Sequence, residues 1–218
     1  MKIFRPLILV SCILYACQSF AQPFIEDINA FKKQDQITPA PANAILFIGS
    51  SSFTKWRDVG NYFPAYTIIN RGFGGSSLPD VIRYAPDIIF AYHPKQVVIY
   101  CGDNDLASSD AITADSVFER FKTLFELIRT SLPGENIVFV SIKPSPSRAR
   151  LQTKMEQANL LIQTYLSINA HTGFVDVYHK MLNADGSTMT DIFVEDKLHM
   201  NAKGYAIWQK AIEPYLAK

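Results

Sequence analysis

The stretch ILFIGSSSFTKW, Ile45 to Trp56, decides how the rest of this chain is read. Apolar residues run up to Gly49 and three serines follow. A short run rich in β-branched and aromatic residues, apolar without alternation, suits a strand buried on both faces. Gly49 allows a sharp turn where that strand stops, and the residues beyond it suit the start of a helix. Strand, glycine, serines and helix leave a serine at a sheet edge. There it serves as a turn residue, a cap, a phosphate cradle or a nucleophile.

Working outward, the same apolar signal recurs at Thr67–Ile69, Gln96–Cys101, Asn136–Ile142 and, more weakly, Phe174–Val177, and the first run spans Ala44–Ile48. Helical patterns lie between and after these runs: Leu78–Ala91, Thr113–Ser131, Ser147–Ser167 and Asn201–Leu216. The second is plainly amphipathic, with Val117, Phe118, Phe121, Leu124, Phe125 and Ile128 at helical spacing. Strands alternating with helices predict an α/β fold, a parallel sheet of about five strands covered on both faces in a three-layer α/β/α sandwich.

The 218 residues fit one domain, and a hydrophobic content of 48% excludes a disordered chain. A formal net charge of +1 provides no field for nucleic acid, so no nucleic-acid partner is expected. Lys2 and Arg5, the apolar stretch Leu7–Ala16 and the small residues Ser19 and Ala21 read as a signal peptide over 1–21, which predicts an exported, periplasmic or secreted protein. Leu14-Tyr15-Ala16-Cys17 offers a second route, lipid anchoring through Cys17, although Tyr15 is bulky for such a box. On either route no transmembrane anchor remains after processing. Residues 22–43 form an N-terminal lead-in, with a short helix expected over Phe24–Gln34, and 44–218 the main domain. Cys12 and Cys17 lie in the signal segment, and only Cys101, inside an apolar run, survives processing on both routes. That leaves no internal disulfide and marks Cys101 as a small buried hydrophobe.

In parallel sheets of this kind, ligands sit beyond the carboxyl ends of the strands. The segments that follow the runs are Gly49-Ser50-Ser51-Ser52, Asn70-Arg71-Gly72-Phe73-Gly74-Gly75, Gly102-Asp103-Asn104-Asp105 and Lys143-Pro144-Ser145. A serine nucleophile needs a base, an acid to orient that base, and oxyanion donors. Of four histidines, His93 and His171 precede strands and fall at the opposite edge. His179 follows the fifth run and is geometrically possible. His199 carries Asp196 three residues before it, a spacing that brings a carboxylate to Nδ1 and leaves Nε2 for a serine. Ser51 stands where the chain enters the helix. Ser50 completes the turn, and Ser52 caps or begins the helix. Gly75 lets a backbone N–H approach a ligand, and Asn104 offers a neutral amide donor.

Taken together, Gly49-Ser50-Ser51, Gly75, Gly102-Asp103-Asn104-Asp105 and Asp196-Lys197-Leu198-His199 resemble, in order and spacing, the four blocks of the SGNH hydrolases, also called GDSL esterases and lipases. The resemblance implies Ser51 as nucleophile and His199 as base with Asp196 as its partner. It also implies an oxyanion hole from the Ser51 and Gly75 N–H groups and Asn104. The implied fold is flavodoxin-like, and no metal or cofactor is implied. In one departure, Ser50 stands where the family block usually has aspartate.

This implies ester hydrolysis, with a short acyl or acetyl group on a small-molecule or carbohydrate ester as the favoured substrate, because no lid helix or large apolar insertion is evident for a long tail. Arg71, Lys143 and Arg148 follow strands, either as contacts to a polar leaving group or as a solvated rim. The alternatives are a lysophospholipase or thioesterase of the same fold, a non-catalytic flavodoxin-like ligand-binding protein, a metal-dependent hydrolase using Asp103, Asp105, Asp196 and His199, and an inactive sugar-binding module using Trp56, Tyr62, Phe63 and Phe73.

Overall fold

The computed structural model describes residues 22–218; residues 1–21, expected as a signal peptide and containing Cys12 and Cys17, lie outside the described residues. Five strands form one sheet: β1 Ile45–Gly49, β2 Ile68–Gly72, β3 Gln96–Tyr100, β4 Asn136–Val140 and β5 Thr172–Val175. Their order is β2-β1-β3-β4-β5 and every pair is parallel.

Alternation along each strand sends successive side chains to opposite faces. On one face Leu46, Ile48, Val97, Ile99, Ile137 and Phe139 are buried. They lie under α1 Ile25–Ile37, α4 Leu78–Ile88, α6 Ala114–Ser131 and α7 Gln152–Ser167. On the other face Ile45, Phe47, Val98, Tyr100, Val138 and Val140 lie under α2 Ser51–Thr54, α3 Val59–Tyr62 and α8 Ala202–Ile212. The fold is therefore a three-layer α/β/α sandwich. α1 is joined to it by Ile28 in the core and by the Tyr84 hydroxyl, which donates to the Pro23 carbonyl at 2.6 Å.

Chain direction around the sheet reverses between β1 and β3. Gly49 is in register with Gly72 on one side and Tyr100 on the other, so three strands end level beside that reversal. This is where such sheets open a crevice. Gly49 makes the close approach possible: its φ is 127°, and a Cβ there would lie 1.9 Å from the Tyr100 carbonyl oxygen.

Most element ends shift by a few residues from the sequence reading, and three of the differences bear on the rim. β2 continues through Asn70, Arg71 and Gly72, expected as loop, because the pairing with β1 extends to Gly49. Arg71 is consequently inside the sheet. Its guanidinium pairs with Asp35, donates to the Tyr92 hydroxyl at 2.6 Å and lies 5.1 Å and 4.9 Å from the Phe31 and Tyr92 ring centroids. It ties α1 to the sheet and belongs to neither the rim nor a leaving-group site. The Gly102–Asp105 block is not a loop but the start of a further short helix, α5 Asp103–Ser108. The helix expected from Ser147 begins as a 3₁₀ turn, Pro146–Leu151, kinked at Arg148.

A candidate active site at the reversal of the sheet

α2 starts one residue earlier than expected, with Ser50 as its N-cap and Ser51 as its first residue. That position lifts the Ser51 side chain above the sheet edge. The Ser51 hydroxyl lies 2.9 Å from His199 Nε2, and His199 Nδ1 lies 2.5 Å from Asp196 Oδ2. A carboxylate only accepts, so Nδ1 carries the proton and Nε2 is the acceptor facing the serine.

The loop that holds the imidazole is closed on itself. Val194 N–H donates to the His199 carbonyl at 2.9 Å, and Asn201 caps α8 by accepting from the Lys203 and Gly204 N–H groups. Asp196 Oδ1 accepts the backbone N–H of Leu198 and of His199, each at 2.9 Å. Desolvation opposes the charge on Asp196. The hydrogen bonds from the His199 ring and from the two backbone N–H groups outweigh it and hold the carboxyl well below the usual carboxylate range. α8 is docked on α2 by the Tyr205 hydroxyl, which donates to the Ser52 carbonyl at 2.9 Å.

The residues expected as oxyanion donors come to the same rim. Gly75 has φ 87°, a left-handed geometry that favours glycine. A Cβ added at its neighbour Gly74 would lie 4.0 Å from the Ser51 Cβ, which sets this turn against Ser51. Neither the Ser51 nor the Gly75 N–H has a hydrogen-bond partner among the described residues. Asn104 Nδ2 donates to Ser50 Oγ at 2.6 Å and to the Ser76 carbonyl at 3.0 Å. Both amide hydrogens are thus engaged in the resting protein, and an oxyanion must share one of them. Ser76 was not singled out by sequence. It braces the site twice, through that carbonyl and through a 3.1 Å hydrogen bond from its hydroxyl to the Gly49 carbonyl.

The charged residues behind the rim are not solvated. Lys143 is 1% exposed, with its Nζ 5.7 Å from the Phe193 ring centroid. Burial pulls its ammonium down to about 8, against the attraction of Asp103 and Asp196. Arg148 Nη1 pairs with buried Asp103 Oδ2 at 2.9 Å and Nη2 donates to Asn104 Oδ1 at 2.7 Å. Asp105 is also buried: it bridges Arg120 at 2.8 Å and the Leu78 N–H at 2.9 Å, a structural tie between α6 and α4. With Asp103 and Asp105 each committed to an arginine, the metal-ligand reading loses two of its four groups. Among the described residues no cluster of three or more His, Cys, Asp or Glu is placed to hold a metal. Trp56 and Phe63 are fully buried core residues, Trp56 stacked on Tyr205 and Phe63 edge-on to Phe47, so neither presents a face to a sugar. Burial pushes the Cys101 thiol well up, which makes it unreactive.

Residues 47–207 match the family model of the GDSL-like lipase/acylhydrolase family. The chain belongs to that family. No curated protein matches it. Among solved structures it is similar to a candidate platelet activating factor from Streptococcus pneumonia (21% identity, 88% of this chain and 92% of that one, TM-score 0.76). It is also similar to a GDSL-like lipase from Bacteroides thetaiotaomicron (21% identity, 86% and 96% covered, TM-score 0.74). An acetyl-xylooligosaccharide esterase from Geobacillus stearmophilus, in mutant form, is similar at 14% identity, with 82% and 97% covered and a TM-score of 0.64. At these identities the structures speak for the fold alone. Against the usual family block, the Ser50 hydroxyl takes the aspartate's place as a fully buried acceptor for the Asn104 amide.

Proposed function

We propose that this protein is a serine esterase that removes short acyl groups, acetyl above all, from a polar alcohol such as an acylated carbohydrate. One observation carries the reading: the hydrogen-bonded line from Ser51 Oγ through the His199 ring to Asp196, at 2.9 and 2.5 Å. In this reading His199 Nε2 takes the Ser51 proton as Oγ attacks the ester carbonyl carbon. Asp196 stabilises the imidazolium that forms. Negative charge develops on the carbonyl oxygen against the Ser51 and Gly75 N–H groups and the Asn104 amide. One such donor is worth about 3–4 kcal/mol in a transition state. Collapse of the tetrahedral intermediate expels the alcohol, which leaves with the proton from His199. Water, deprotonated by the same nitrogen, then releases the acid and restores Ser51.

Membership of an acylhydrolase family supports the reaction class. The fold shared with an acetyl-xylooligosaccharide esterase is one compatible with an acylated carbohydrate, and the choice of substrate rests on the short rim, without a lid helix among the described residues. The charge order of the first 21 residues supports an exported enzyme. The test is a panel of p-nitrophenyl esters of graded chain length beside acetylated sugars. Turnover is expected to fall as the acyl chain lengthens and to vanish in Ser51→Ala. Equal turnover by that variant, or a preference for long chains, refutes the corresponding part of the reading.

A further inference from the structure

Asn104 is held from both ends, and the hold on its oxygen comes from a charged group. Arg148 Nη2 donates to Asn104 Oδ1 at 2.7 Å while Nη1 pairs with Asp103 Oδ2 at 2.9 Å. The Arg148 side chain is 16% exposed and that of Asp103 4%. The kink at Arg148, with φ −118°, takes the chain out of helical geometry where this side chain crosses from the end of β4 to the start of α5. The Ser147 N–H donates to the Lys197 carbonyl at 3.1 Å, so the same 3₁₀ turn also touches the loop between Asp196 and His199.

We propose that Arg148, anchored by Asp103, is a positioning residue that sets the flip of the Asn104 amide and strengthens its N–H groups as oxyanion donors. An amide could present either end to the rim. A donor on Oδ1 forces Nδ2 to the side of Ser50 and the nucleophile. A cation on the amide oxygen also draws electron density from the nitrogen, so that hydrogen bonds along the chain Arg148–Asn104–oxyanion reinforce one another. The resting acceptors of Nδ2 are a hydroxyl and a carbonyl, both neutral. A developing oxyanion is the stronger acceptor, so the polarised amide gains most in the transition state. The inference rests on the esterase reading and makes Arg148 act through Asn104, without touching substrate.

The experiment is a double-mutant cycle on p-nitrophenyl acetate, with circular dichroism to verify folding. Asn104→Ala is expected to lower kcat by about 100–1,000-fold. Arg148→Met is expected to lower kcat by about 10-fold with KM within about twofold. The double variant is expected to be no slower than Asn104→Ala beyond about twofold, because the arginine has nothing left to act on. Arg148→Lys, which keeps a cation, regains part of kcat, and Asp103→Asn loses a smaller part that also disappears in the Asn104→Ala background. Should Arg148→Met fail to fold, these last two variants carry the test. Multiplicative losses, or a rise in KM at constant kcat, overturn the proposal. An inactive wild type, or one matched by Ser51→Ala, sinks the esterase reading itself, whereas an active wild type with independent losses sinks only this inference.

Discussion

The chain contains Asp-x-x-His twice, and the two copies fold alike. In Asp196–His199 one carboxylate oxygen lies 2.5 Å from ring Nδ1 and the other accepts the histidine backbone N–H at 2.9 Å. In Asp176–His179 the same contacts measure 2.7 and 3.1 Å. Their surroundings differ. The His199 side chain is 15% exposed with Nε2 on Ser51, whereas His179 is 71% exposed, beside a cavity of about 230 Å³ lined in part by Glu156, Phe174 and Tyr178. His179 follows β5, three strands from β1 in the sheet, roughly 14 Å at ordinary strand spacing. Four residues suffice to build an oriented imidazole. Whether it meets a serine hydroxyl depends on which strand end it overlooks.

The largest effect expected separates the two dyads outright. Ser51→Ala and His199→Ala each lower ester turnover by about 10⁴-fold or more, while His179→Ala stays within about twofold. Comparable losses from the two histidines would erase the distinction. Next, Asp196→Asn costs about 10³–10⁴-fold in kcat through loss of ring orientation, and Asp176→Asn leaves kcat unchanged, both read from initial rates.

A smaller effect concerns acid. The folded Asp196 carboxyl lies below its unfolded value, so its contribution to stability is complete above about pH 4 and is lost as pH falls through the depressed folded value. Urea melts should therefore show the wild type losing stability below about pH 4 more steeply than Asp196→Asn. Equal slopes would remove the electrostatic basis of this dyad. The smallest effect concerns Lys143, buried beside Asp103, Arg148 and Asp196. Its folded value of about 8 lies below the unfolded one, so the native state binds fewer protons between the two and stability rises with pH across that interval. Lys143→Met should raise the melting temperature at pH 7, by an amount that shrinks toward pH 10. A lower melting temperature at pH 7 would mean the ammonium's neighbours repay its burial.

The inner strands β1, β3 and β4 were legible because they are buried almost throughout and mostly apolar. The edge strands β2 and β5 are half-buried and carry Asn70, Arg71 and Thr172, so their bounds were missed. The rim was legible because glycine, serine and asparagine gather after the strands. Ser51, Gly75, Asn104, Asp196 and His199 all come to that rim. What the sequence concealed is partnership between distant polar side chains. Arg71, Lys143 and Arg148 look alike as basic residues following strands. Their fates diverge on Asp35, Phe193 and Asn104, partners that no local periodicity encodes. The α5 helix was hidden because Gly102-Asp103-Asn104-Asp105 reads as turn chemistry, and the same residues also suit a first helical turn, where acidic side chains are favoured.

The hydrogen bond between Ser51 and His199 joins positions 148 residues apart. At ribosomal speed the serine is made roughly 7–30 s before its imidazole. Tyr205 on the Ser52 carbonyl holds α8 against α2, so the contact between the two exists only when both ends of the chain are docked. On the proposed esterase mechanism, recovery of ester cleavage after dilution from denaturant reports when both ends of the chain have come together, not when either end alone has folded.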